Sequence, residues 1–173
     1  ESTVEDEVVV DAVAIVNHFR SSEKFKNYKI IVLGHSLGAF MMPKIADSVS
    51  FDKAVMMAGN ARDLQDVIID QYVYLNSLNP TKEGENEIAT IKKEVSFLTS
   101  KKFNTTLSSD ELPLGLSAKY WQSLLNYKPL VEVKKVAIFC CSGRVGKDKV
   151  IPLILWKFKP SRPLPVCKLW KKV

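Results

Sequence analysis

The sequence predicts an α/β protein with a mostly parallel sheet flanked by helices, and three observations carry that expectation. Tyr28–Leu33, Lys53–Ala58 and Lys135–Cys140 are short apolar runs without sustained polar alternation, as expected of strands buried on both faces of a parallel sheet. Helical spacing occupies the stretches around them. At the end of the first run stands G-x-S-x-G, Gly34–Gly38, followed at once by a helical pattern.

The first helix is read over residues 3–20, with Val9, Ala12, Val13, Val16 and Phe19 as one apolar stripe and Ser2 with Glu5 in capping-box spacing at its start. After the serine, Met41, Ile45 and Val49 fall at helical spacing. The serine therefore sits on a sharp strand-to-helix turn, which lifts its oxygen above the carboxyl edge of the sheet. Gly34 and Gly38 are expected to keep side chains away where the two backbones approach, and the Leu37 N–H would face a developing oxyanion. Ser36 is thus the candidate nucleophile.

From Asp63 to Lys128 the strand signal disappears and helical stretches take over. Residues 62–128 read as a helical cap inserted into a core made of 1–61 and 129–173, with Pro165–Trp170 as a further candidate strand. At 173 residues and 46% hydrophobic the chain can bury one sizeable core. There are no repeats, no apolar stretch of membrane-spanning length and no visible signal peptide. Cys140 and Cys141 would face opposite sides of a strand, and Cys167 makes the count odd, so neither a disulfide framework nor a metal spacing emerges.

Charge is unevenly placed. Residues 134–173 hold 11 Lys and Arg against one acid, leaving 14 basic and 18 acidic residues in the first 133. That asymmetry fits a polyanion-binding module. The basic residues are scattered among prolines and large apolar residues, which fits a solvated surface better.

The elbow resembles the α/β-hydrolase superfamily, and "GHSLG" with "MMPKIA" (Met41–Ala46) is similar to its capped bacterial esterases, the serine aminopeptidase-like and dienelactone-hydrolase-like group. "TVEDEVVVDAVAIVNHFR" (Thr3–Arg20), "KAVMMAGNARDLQDVIIDQYVYL" (Lys53–Leu75) and "LPLGLSAKYWQSLLNYKP" (Leu112–Pro129) extend the likeness. It implies a partial α/β-hydrolase fold, truncated at both ends. It also implies a serine hydrolase acting on small carboxylic esters through an acyl-enzyme, without cofactor or metal, nucleic acid or membrane partner, in the cytoplasm. In chain order the family supplies serine, then an acid after the strand that follows the cap, then histidine. "CSGRV" places Val145 where an aspartate commonly stands, whereas "DKVIP" makes Asp148 the acid. His18 and His35 are the chain's two histidines, and neither is expected to reach Ser36. The fragment is expected to turn over slowly or not at all. A non-catalytic binding protein of the same fold is the alternative.

Overall fold

The computed structural model describes residues 2–135 and the backbone at residues 139–143, 145–146, 149–150 and 154–157. Two units emerge, one of Val8–Ala61 with the strands after Lys128, the other of Arg62–Tyr127 with the residues up to Glu7.

The first unit holds a four-stranded sheet. β1 (Ile31–His35), β2 (Lys53–Met57) and β3 (Phe139–Gly143) run parallel, with His35 opposite Met57 and Ala54 opposite Cys140. The three apolar runs predict this direction of pairing, but their edges move. β1 starts at Ile31 because the Tyr28 N–H is taken by the Phe25 carbonyl at 2.8 Å and the Ile30 N–H by the Asp52 carboxylate, also at 2.8 Å. β2 stops at Met57, one residue early, because Ala58 has φ 50° and leaves the extended region. The third run starts late: α7 (Pro129–Glu132) opens on a proline and passes into a 3₁₀ turn, Val133–Lys135, so Lys135 is helical and holds Glu132 at 2.8 Å.

Three short strands follow. β4 (Val145–Gly146) and β5 (Lys149–Val150) form their own antiparallel pair, and β6 (Ile154–Lys157) joins β3 antiparallel. The candidate strand Pro165–Trp170 lies outside the described residues.

Burial on both faces of the strands is not what the structure shows. Gly34, Ala54 and Met56 are buried, while Ile31 and Leu33, pointing the other way, are 57% and 61% exposed. Among the described residues it is the Gly34 face that is covered, by α2 (Leu37–Phe40) with Ala39 and Phe40 buried.

α1 (Asp11–Ser21) is preceded by a π-helical stretch, Glu5–Val10. Val9 and Val16 are buried, but Phe19 is 38% exposed and packs edge-on against Phe25 at 5.3 Å. At the end of this helix Arg20 reaches the Asp52 carboxylate at 2.9 Å. The Ile30 N–H and then this guanidinium hold the Asp52 carboxyl below the usual carboxylate range. One side chain thereby pins the helix end, the entry to β1 and the turn before β2.

In the second unit the start of the chain is capped one residue later than expected. Thr3 and Asp6, not Ser2 and Glu5, exchange the bonds: the Asp6 N–H donates to Thr3 Oγ1 (3.2 Å) and the Thr3 N–H to Asp6 Oδ2 (2.7 Å). α4 (Leu64–Leu78) and α5 (Lys82–Leu98) form a hairpin whose turn is tied by Asn76 Oδ1 accepting from the Thr81 N–H at 3.1 Å. A Cβ on Gly84 would lie 2.1 Å from the same oxygen, so a larger residue there would have to displace the Asn76 side chain from the turn. α6 (Ala118–Asn126) carries Trp121, fully buried, whose Nε1–H donates to the Pro113 carbonyl at 3.0 Å. Beside it the Tyr120 hydroxyl donates to the Glu7 carboxylate. Burial, and next that bond, push the Tyr120 phenol well above its ordinary value.

Candidate functional site

Ser36 occupies the junction of β1 and α2 with φ 50° and ψ −111°, a conformation an L residue reaches only under strain. Strand geometry carries the chain through His35, and helical bonds begin at once beyond it: Phe40 N–H to the Ser36 carbonyl and Met41 N–H to that of Leu37, both 2.9 Å. A chain that must pass from strand to helix in one residue has to concentrate the reversal at that residue. The Ser36 N–H donates to the Met57 carbonyl at 3.0 Å, so the neighbouring strand holds the turn from below. Ser36 itself is exposed.

The two glycines of the motif differ. A Cβ on Gly34 would lie 2.5 Å from the Gly38 carbonyl oxygen and 2.8 Å from the Ala39 nitrogen, so strand and helix backbones touch there. A Cβ on Gly38 would meet nothing within 4 Å, which corrects the expectation that both glycines clear the same approach.

At Met41 the expected single helix is broken. α2 ends at Phe40 and α3 (Met42–Ser48) begins after Met41, because Pro43 cannot donate to the Ala39 carbonyl one turn back. The break leaves α2 a single turn, braced by buried Phe40, Met41 and Met42.

The remaining candidates are not gathered around the serine. His35 is exposed on the face of β1 that carries Ile31 and Leu33, and His18 is exposed on α1, its ring edge-on to Phe19 at 5.7 Å. Among the described residues no hydrogen bond joins either imidazole to Ser36. Asp148 lies outside the described residues, while the backbone of Val145 pairs with Val150 in β4. The Leu37 N–H, first amide of α2, has no acceptor among the described residues. Among those residues there is also no cluster of three His, Cys, Asp or Glu side chains able to hold a metal, and no helix long and apolar enough to cross a membrane.

Sequence reasoning missed the turn beside the elbow. Ala58 has φ 50°, the same as Ser36, and follows Met57 as Ser36 follows His35 in the paired strands. Gly59 comes next, and a Cβ there would sit 3.1 Å from the Ala39 Cβ. The only signal in the sequence is a glycine soon after an apolar run, which marks a strand end and nothing more.

No protein-family model matches the chain, and no solved structure does. Over 136 residues it is 35% identical to Esterase EstD of Thermotoga maritima, a match that takes in 79% of this chain and 31% of the relative. The chain spans under a third of the length of that curated relative. At this identity, over this much of its length, the chain is a distant homologue of an esterase.

Proposed function

We propose that the chain is the nucleophile-bearing portion of a carboxylic-ester hydrolase of the α/β-hydrolase fold, of the capped branch, acting on small acyl esters. The observation that carries this reading is the strained backbone of Ser36 between β1 and α2, in a chain homologous to an esterase. In this reading residues 1–61 and 129–173 belong to the core, and 62–128 form the cap that selects the substrate.

The Ser36 Oγ attacks the ester carbonyl carbon, its proton passes to an imidazole base, and the carbonyl oxygen becomes an oxyanion received by the Leu37 N–H. Collapse breaks the bond to the alcohol, which leaves with that proton. Water then attacks the acyl-enzyme, its proton returns through the base, and Ser36 is regenerated with release of the acid. Asp148 is the proposed partner that orients the base. Neither His18 nor His35 takes the role of base, since both lie on exposed faces and, among the described residues, no hydrogen bond joins either to Ser36.

The hydroxyl of the isolated 173-residue chain therefore stays protonated, and aryl-ester turnover is expected near background. A reactive aryl phosphonate, with imidazole added in solution to supply the base the chain lacks, tests the nucleophile without requiring turnover. Labelling mapped by mass spectrometry should fall on Ser36 and vanish in Ser36→Ala. Labelling of other serines at equal rate, or of none, would remove the acyl-enzyme reading and leave the non-catalytic binding protein in its place.

A further inference from the structure

Two residues of the described chain that are neither glycine nor in the second unit have positive φ, and they are neighbours. Ser36 and Ala58 both stand at φ 50°, at the carboxyl ends of adjacent parallel strands whose last residues, His35 and Met57, are paired. Positive φ in an L residue persists only where surrounding contacts over-determine it. Here the contacts run from one turn to the other. The Ser36 N–H donates to the carbonyl of Met57, the residue immediately before Ala58 (3.0 Å). The residue immediately after it, Gly59, lies against Ala39 of the elbow helix, with only 3.1 Å between a Cβ built on the glycine and the Ala39 Cβ. Ala39 is fully buried and cannot turn outward. Met56 closes the same gap from below, its methyl 3.6 Å from that position.

We propose that the Met57–Gly59 turn is a positioning element for Ser36, with Gly59 the residue that fixes how near the elbow helix lies to the sheet. The proposal rests on the nucleophile reading for its consequence in reactivity, though not for its geometry. Gly59 is not held at positive φ, so an alanine is conformationally allowed there and its effect is steric. The added methyl must push Ala39, three residues beyond Ser36 in a single-turn helix, and the displacement is delivered to the strained residue at the head of that turn.

The test uses three variants of the chain: Gly59→Ala, Ala39→Gly, and the two together. Amide hydrogen exchange is read at Ser36, whose N–H is held by Met57, and at Ala54 and Met56 in the middle of β2. Phosphonate labelling of Ser36 is read in parallel. In Gly59→Ala the Ser36 amide should exchange at least tenfold faster while Ala54 and Met56 keep their protection, and labelling should slow at least tenfold. Ala39→Gly removes the opposing methyl, so the double variant should return both readouts to those of Ala39→Gly alone.

A role in general packing would instead raise exchange at all three amides together, and that result would overturn the proposal. Unchanged Ser36 exchange in Gly59→Ala, or a double variant that is not rescued, would overturn it too. If Gly59→Ala does not fold, recovery of the fold in the double variant supports the proposal and its failure to recover refutes it. If Ser36 labels in no variant, the acyl-enzyme reading fails, and the exchange data still decide whether Gly59 positions the turn.

Discussion

The two glycines flanking Ser36 should respond to the same substitution with opposite signs. In Gly34→Ala the new Cβ would stand 2.5 Å from the Gly38 oxygen and 2.6 Å from the Gly38 carbonyl carbon. Carbon and oxygen ordinarily approach no closer than about 3.3 Å, so roughly 0.8 Å must come from movement of one backbone against another. Both obstacles are main chain and neither can rotate away, which puts the cost at the upper end of the usual overpacking range, about 3 kcal/mol. For a chain of this size that lowers Tm by about 6–12 °C. In Gly38→Ala the Cβ meets nothing within 4 Å and φ is not positive, so the change should act through helix propensity alone, a gain of about 0.5–1 kcal/mol. Urea denaturation of both variants at pH 7 measures the pair. Gly34→Ala should also slow phosphonate labelling of Ser36 by about 10²-fold, since a shift near 1 Å is enough to spoil a reacting geometry. If Gly34→Ala lies within about 0.5 kcal/mol of the parent, or if Gly38→Ala is the more damaging of the two, the close approach of strand and helix is wrong.

Two further outcomes concern proton-linked stability. The Asp52 carboxyl is depressed below its ordinary value of 3.8, so its contribution is present above that value and is lost as pH falls through the lower folded value. Denaturation between pH 5 and pH 2 should show a shallower acid dependence in Asp52→Asn than in the parent, and parallel curves would show that Asp52 does not pin the three segments. Tyr120 is shifted the other way: its contribution is complete below pH 10 and is lost as pH rises above it. Absorbance at 295 nm should show Tyr120 ionising well above the ordinary phenol value of 10. Glu7→Gln should bring that step down, whereas an unchanged titration would deny the bond between them.

The parts of this fold legible in the sequence are those decided by neighbours along the chain. An apolar run, a turn with a serine between glycines, and a helical pattern follow one another within about twenty residues, and the β1–Ser36–α2 junction follows from them. What the sequence does not show is settled by partners far along the chain. β1 begins at Ile31 because Asp52 claims the Ile30 N–H, and nothing between Tyr28 and Leu33 announces that. "STVED" offers the capping spacing twice, as Ser2 with Glu5 and as Thr3 with Asp6, and local spacing alone does not choose between them; the bonds form at Thr3 and Asp6. Met41, Ile45 and Val49 keep helical spacing across Pro43, but the chain breaks where the proline's missing donor dictates. Ala58 gave no signal, because alanine has no preference for positive φ.

That last point bears on Ser36 itself. A turn needing φ 50° is met at least strain by glycine, and holding an L residue in such a region costs roughly 1–3 kcal/mol. Around position 36 the chain meets this demand with serine while placing glycine two residues away on either side, at one site where a Cβ is impossible and at another where it is harmless. Glycine at 36 would ease the backbone and remove only a hydroxyl. The hydroxyl makes no hydrogen bond among the described residues and caps no helix, so it does not repay the strain through structure. A strained, exposed and structurally idle serine at the carboxyl edge of a parallel sheet is what a nucleophile requires, and that supports the esterase reading independently of the homologue's name.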